Sequence, residues 1–326
     1  MTQPAAAPPA PRRPALPSLS TLGPLIALLL ACLFFATQSD RFLTGSTLSL
    51  VLKQISFVAV IAIGQTLVIL TAGIDLSCGV IMALGSMIMT KFAVELGVPP
   101  GLAILAALAV TTTIGALNGV LITRLRLPPF IATLGMYGIV FAATQIYSNA
   151  QTISNLPPAL NFLGQTFTVF GTAFTYGAVL MLLLFGLAWF FLTQTAPGRH
   201  VYAVGNNPEA VRLSGISTTR LLIGVYAAAG LLYGVAALIL VGRVGAGDPN
   251  AGQTENLESI TAVVLGGTSL FGGRGNVLGT FLGALIVGVF RVGLTLSGVN
   301  SVYQILITGV LIILAVATDQ FSRRKA

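Results

Sequence analysis

The sequence predicts an all-α, polytopic membrane protein of about ten transmembrane helices, with N- and C-termini in the cytoplasm. Three observations carry this. Charged residues make up 7% of the 326 positions and hydrophobic ones 55%, whereas soluble domains carry about 25% charge. The apolar residues gather into runs matched to the bilayer, which needs about 20 mostly apolar residues per helix. The sixteen Lys and Arg residues divide unevenly between the two sides those runs define.

Taken in order, residues 1–21 are rich in Pro and Ala, carry Arg12 and Arg13, and read as a disordered basic tail. The first apolar run is Leu22–Thr37. Its Leu29-Leu30-Ala31-Cys32 resembles a lipoprotein cleavage box, but no soluble domain follows, so an uncleaved span is expected. The next runs are Leu50–Thr71 and, after a break at Ala72-Gly73-Ile74-Asp75, Leu76–Val94. Leu102–Thr123 and Phe130–Tyr147 are the fourth and fifth. A polar stretch, Ser148–Gln165, precedes the sixth at Phe170–Thr193. Leu221–Val241, the short glycine-rich Leu257–Phe271, Val277–Leu296 and Val302–Thr318 complete the ten. The membrane domain thus spans 22–320, interrupted by a polar segment at 194–219, and 321–326 is a second basic tail.

Ten spans from a cytoplasmic N-terminus place Arg12, Arg13, Arg124, Arg126, Arg199, Arg212, Arg220, Arg274, Arg323, Arg324 and Lys325 inside. Arg41, Lys53, Lys91, Arg243 and Arg291 fall outside or near its margin. This excess agrees with the positive-inside tendency. Asp40, Glu95, Asp248, Glu255 and Glu258 fall outside. The basic residues are scattered with few aromatics among them, so the +8 net charge does not describe a nucleic-acid surface.

The polar segment contains GRHVYAVGNNPEAVRLSGI, Gly198–Ile216, with the chain's one His. Asn206-Asn207-Pro208-Glu209 is a helix start. Asn caps free backbone N–H groups, Pro loses nothing at the first helical position, and Glu209 complements the helix dipole. Gly215 is a C-terminal stop. The result is a helix of about two turns with Ala210, Val211 and Leu213 as its apolar residues, and Gly198, Gly205 and Gly215 permitting tight turns around it. So short a helix is not stable alone. It needs a surface, which is its own protein, the lipid interface or a soluble subunit.

Other chemistry is sparse. Cys32 and Cys78 show no disulfide or metal spacing, and a lone His200 holds no metal, so no metal and no cofactor are expected. There is no GxxxxGK[ST] loop for nucleotide. The glycine stretch Gly266–Asn276 lacks its Lys-Ser/Thr ending and reads as a turn. Asp75 is read first as the cap of the third helix and second as a functional ionisable group. Gln65, Asn118, Gln145 and Gln304 are candidates to line a path for a hydroxyl-rich solute, against the alternative of helix–helix hydrogen bonding. Arg291 is the one expected intramembrane charge, able to snorkel. No nucleophile–base constellation or intramembrane acid pair supports an enzyme or an ion-coupled transporter.

Several separated stretches resemble the sugar-specific ABC importer permeases, the ribose, xylose and galactose permease family. They are Gly64–Ser86, Pro128–Asn149, Gly198–Ile216 and Glu258–Val289. The branched-chain amino acid permeases are similar in their spans, but Gly205-Asn206-Asn207-Pro208 favours the sugar branch. The resemblance implies a bacterial inner-membrane permease that works as a homodimer. It implies a cytoplasmic ABC ATPase docked on Gly205, Asn206, Asn207, Pro208, Glu209, Ala210, Arg212, Leu213 and Gly215. It also implies a soluble sugar-binding protein meeting Ser148–Gln165 and Gly245–Glu258 from outside. Membrane lipid is the remaining partner.

Overall fold

The computed structural model describes residues 19–300, 302–307, 309, 310 and 313. The tail 321–326, and all of 1–21 but its last three residues, lie outside the described residues. The elements run α1 (Leu19–Gln38), α2 (Gly45–Leu70), α3 (Cys78–Val94), α4 (Pro100–Arg124), α5 (Pro129–Ser148) and α6 (Pro158–Asn161). A 3₁₀ turn at Phe162–Gly164 leads into a hairpin of β1 (Thr166–Val169) and β2 (Thr172–Thr175). Then come α7 (Tyr176–Gln194), α8 (Ala196–Asn206), α9 (Pro208–Leu213), α10 (Thr218–Val244), α11 (Glu255–Leu265) and α12 (Val277–Leu296). Residues 302–307 are helical again.

Among the described residues the fold is all-α apart from that hairpin. Among the described residues six helices, α2, α4, α5, α7, α10 and α12, are long and apolar enough to cross a membrane, and Gly23–Gln38 of α1 and all of α3 are shorter apolar helices. With 11 residues, α11 covers only about half of a 30 Å hydrocarbon core. The first nine expected runs each fall on one helix, the sixth only from Tyr176 onward, and residues 308, 311, 312 and 314–318 of the tenth lie outside the described residues.

Local chemistry sets the boundaries. α4 and α5 each begin with Pro at the first helical position after another Pro, where the ring costs no hydrogen bond. Thr44, Thr175, Ser217 and Asn276 cap α2, α7, α10 and α12 by accepting from backbone N–H groups two or three residues on. The hairpin was not expected, because Phe170 was read as the start of the sixth apolar run. Polar and apolar residues alternate along β1, Thr166 pairs with Thr175 and Val169 with Thr172, and Phe170 and Gly171 both have positive φ (47° and 77°). That is a type I′ turn, the one whose twist suits a two-residue hairpin.

At the centre stand α2 and α3. Every residue from Ile55 to Leu70 and from Cys78 to Thr90 is buried, as expected of helices apolar all round. α4 shows the opposite pattern. Its buried residues Ala103, Ala107, Thr111, Gly115 and Asn118 form one narrow stripe, while Leu102, Leu105 and Leu117 are exposed. The stripe meets α10 with backbones almost touching: a Cβ on Gly115 would lie 3.0 Å from the Gly230 Cα. Lipid gives apolar helices no hydrophobic reason to associate, so this close backbone packing is what holds them. α11 lies on α12 in the same way, where a Cβ on Gly266 would come 2.6 Å from the Thr280 nitrogen.

Candidate functional site

The polar segment 194–219 folds as two helices. Thr195 caps α8 by accepting from the Gly198 N–H at 3.1 Å. α8 buries Val201 and Val204, and the Tyr202 hydroxyl donates to the Gly275 carbonyl at 3.2 Å; burial raises that phenol's pKa. The chain then extends through Asn207 (φ −156°), whose Oδ1 accepts from the Ala210 N–H at 3.0 Å. Asn207 is therefore the cap of α9, and Asn206 ends α8.

α9 closes on a Schellman motif. The Ile216 N–H donates to the Val211 carbonyl at 3.3 Å and the Gly215 N–H to the Arg212 carbonyl at 3.1 Å, with Gly215 at φ 81°. Val211 is buried, whereas Asn206 to Ala210 and Arg212 to Gly215 are exposed, Leu213 to 75%. Arg212 and Glu209 form an exposed ion pair one turn apart. The hydrogen bond and charge of Arg212 hold the Glu209 carboxyl below its usual range.

Of the nine residues expected at the docking surface, Gly205 alone faces inward. A Cβ there would sit 2.6 Å from the Gly273 nitrogen and collide with the Leu70 carbonyl oxygen. That same carbonyl accepts from the Gly273 N–H at 2.9 Å. The C-terminus of α8, the end of α2 and the glycine-rich turn 266–276 therefore meet backbone to backbone. Among Gly198, Gly205 and Gly215, only Gly215 serves by a left-handed turn.

Just past this junction α2 breaks off, and the backbone from Thr71 to Ser77 is irregular before α3. Asp75 is fully buried there. Its Oδ1 accepts from the Ser77 N–H at 2.9 Å and hydroxyl at 2.6 Å, and the Ser77 hydroxyl accepts from Asn118 Nδ2 of α4 at 2.9 Å. Gln65 Nε2 of α2 donates to the Asp75 carbonyl. Thr133 of α5 donates to the Ile74 carbonyl at 3.0 Å and accepts from the Leu76 N–H at 3.2 Å. Asn256 of α11 donates to the Leu76 carbonyl at 3.4 Å. Irregular backbone among apolar helices is tolerated when protein satisfies it, and here Gln65, Thr133 and Asn256 from three helices bond its backbone while Asn118 from a fourth bonds the Ser77 hydroxyl. Among the described residues, Gln65 Oε1, Asp75 Oδ2, Asn118 Oδ1 and the hydroxyls of Tyr226 and Tyr233 on α10 are buried without a hydrogen-bond partner.

The matching sequence family is described as the permease component of a branched-chain amino acid transport system, and it covers residues 47–316. The chain belongs to this permease family. The permease is 48% identical over 309 residues to the fructose import permease protein FrcC of Rhizobium meliloti, covering 93% of this chain and 86% of that one. It is 39% identical over 306 residues to the ribose import permease protein RbsC of Bacillus subtilis, 93% of each. It is 33% identical over 318 residues to the galactose/methyl galactoside import permease protein MglC of Escherichia coli, 92% of this chain and 94% of that one. No solved structure matches. The permease is a membrane protein and a transporter subunit.

The four candidate path residues do not share one site. Gln65 and Asn118 meet at the break in the permease core. Gln145 Nε2 instead donates to Asn250 Oδ1 at 3.1 Å, beside a two-way backbone bridge between Ile153 and Gly247. That bridge ties together the two segments expected to meet a binding protein. Gln304 donates to Thr295 Oγ1 at 3.1 Å and the Val299 carbonyl at 3.0 Å. It lines a cavity of about 240 Å³ with Thr254, Glu258, Phe290 and Arg291. Arg291 is paired with Glu258, Nη1 lying 3.0 Å from both carboxylate oxygens. Each of these polar residues is isolated in an apolar run, so sequence showed them singly. Their meeting points, with Ser77, Thr133, Tyr226, Tyr233 and Asn256, depend on helix packing that no local pattern encodes.

Proposed function

We propose that this chain is the membrane-spanning permease subunit of an ATP-binding-cassette importer. It receives a monosaccharide from a soluble binding protein and works as a homodimer in the bacterial inner membrane. The observation that carries the reading is α9: a capped, two-turn helix with Leu213 exposed, joined through Gly205 to the end of the central helix α2. Names of relatives as fructose, ribose and galactose import permeases support a sugar. In this reading ten spans place both termini in the cytoplasm and α9 with them. An ATPase subunit docks on Asn206–Gly215. Its closure moves α8, and Gly205 passes that movement to Leu70 and the glycine turn. Gln65, Asn118, Gln145 and Gln304 remain the path candidates.

The test is reconstitution in proteoliposomes with the cognate ATPase and binding protein, measuring ATP-dependent uptake of D-fructose, D-ribose, D-galactose and L-leucine. A sugar is expected to be carried; uptake of leucine alone would return the reading to the substrate in the family's description. Deleting Asn206–Gly215 is expected to abolish both uptake and co-purification of the ATPase while membrane insertion persists. Normal assembly after that deletion would overturn the docking mechanism.

A further inference from the structure

The end of the bundle opposite α9 carries a surface that the transport reading does not use. The β1–β2 hairpin presents Phe170 at its tip, fully exposed, with Val169 beside it at 38%. Exposed aromatic residues are ordinary on lipid-facing helices, but this one stands on a hairpin outside any span. The hairpin's other aromatics are engaged. Phe167 and Phe174 pair across the strands, Phe167 lies 5.2 Å from Tyr176, and Phe162 stacks on Tyr176 at 4.7 Å. They form a base that holds the hairpin and leaves the tip out.

Three features identify what the tip touches. No Asp, Glu, Lys, Arg or His stands anywhere between Arg126 and Arg199, so the whole hairpin and its approach are uncharged. The hairpin is laid against the first turn of α2, where the Ser49 hydroxyl donates to the Ala173 carbonyl. Leu43, just before α2, and Leu48 within it are exposed to 75% and 53%. Finally, β2 ends directly at α7, whose 19 residues span about 28 Å at 1.5 Å per residue, close to the hydrocarbon thickness. Tyr176 therefore sits at the membrane boundary. Phe170 lies six residues before it, within about 20 Å at 3.3 Å each. Aromatic side chains favour that boundary, and an uncharged apolar projection suits acyl chains better than it suits a soluble protein's polar surface.

We infer that the hairpin is a membrane-interface anchor, with Phe170 inserted between lipids at the head-group and acyl boundary. The test uses the full-length permease in phosphatidylcholine vesicles. Trp189 is the only tryptophan, so Trp189→Phe with Phe170→Trp places one reporter at the tip. Expected are a blue-shifted emission, quenching by lipids brominated near the head group more than by those brominated deep in the chain, and weak quenching by aqueous iodide. A water-like emission quenched by iodide and untouched by brominated lipid overturns the inference. So does a blue shift that arises only on adding the binding protein, which would assign the tip to that partner. If the tryptophan variant fails to fold, Phe170→Cys carrying an environment-sensitive dye, with Cys32 and Cys78 replaced, gives the same readings.

Discussion

The chain interrupts its apolar pattern twice near one end of the bundle, at 71–77 and at 194–219, and the two interruptions are built in opposite ways. The segment 194–219 satisfies its own backbone. Thr195 and Asn207 cap two short helices, Gly215 closes the second, and the polar side chains of α9 point outward. The segment 71–77 leans on its neighbours. Gln65, Asn118, Thr133 and Asn256 reach it from four helices, and Asp75 binds Ser77 within it. A self-capped segment keeps its shape whether or not something docks on it. A segment held by four helices registers any movement among them. Gly205 joins the two, so a displacement outside is delivered to the region built to feel it.

Breaking the inner segment is expected to have the largest effect. Asp75→Ala removes the acceptor of two Ser77 hydrogen bonds, and each buried donor left unpaired costs about 1–3 kcal/mol. The variant is expected to melt well below the parent in detergent and to lose uptake. Asp75→Asn keeps an acceptor at Oδ1 and is expected to lose less. Equal melting temperatures for the alanine variant and the parent would show that the break is held without Asp75.

The link between the segments comes next. Gly205→Val drives a branched side chain into the Leu70 carbonyl and the Gly273 nitrogen, an overpacking worth about 1–3 kcal/mol. The exposed residues of α9 are untouched. The expected result is therefore asymmetric: the ATPase still co-purifies while uptake per ATP hydrolysed falls. Parallel loss of docking and uptake would make the junction part of the docking surface instead.

How much of this could be read beforehand follows the same division. The features of α9 are local: an Asn-Pro-Glu start and a Gly stop fix a short helix whatever surrounds it, and sequence placed it to within one residue, Asn207 being the cap. Asp75 was expected to cap the third helix; instead Ser77 stands at the cap position without a side-chain cap bond, and Asp75 binds Ser77 just before the helix. The burial of Asp75 and the gathering of Gln65, ten positions away, and Asn118, forty-one positions from Ser77, come from packing between helices, which hydropathy runs cannot express. Gly205 shows the limit most plainly. A glycine beside a helix start reads as a turn, yet here it is helical and gives up its side chain so that three backbones can touch. The hairpin escaped because Phe170 and the residues after it are apolar enough to extend α7 on hydropathy alone. Only Gly171 and the threonines Thr172 and Thr175 separate them from it.

The smallest effect belongs to the cap of the outer segment, and it tests whether α9 is self-sufficient. Asn207→Ala removes the side chain that accepts from the Ala210 N–H, a loss of about 1 kcal/mol for such caps. Nothing in the core touches that side chain, so the melting temperature is expected to stay where it is. The helix frays instead, and ATPase affinity falls about five-fold, the equivalent of that energy. Asn207→Asp and Asn207→Ser supply an oxygen at the same place and are expected to restore binding. If they bind as weakly as the alanine variant, the amide itself contacts the ATPase. If the alanine variant binds normally, the docked partner rather than Asn207 shapes α9, and the outer segment is as dependent on its surroundings as the inner one.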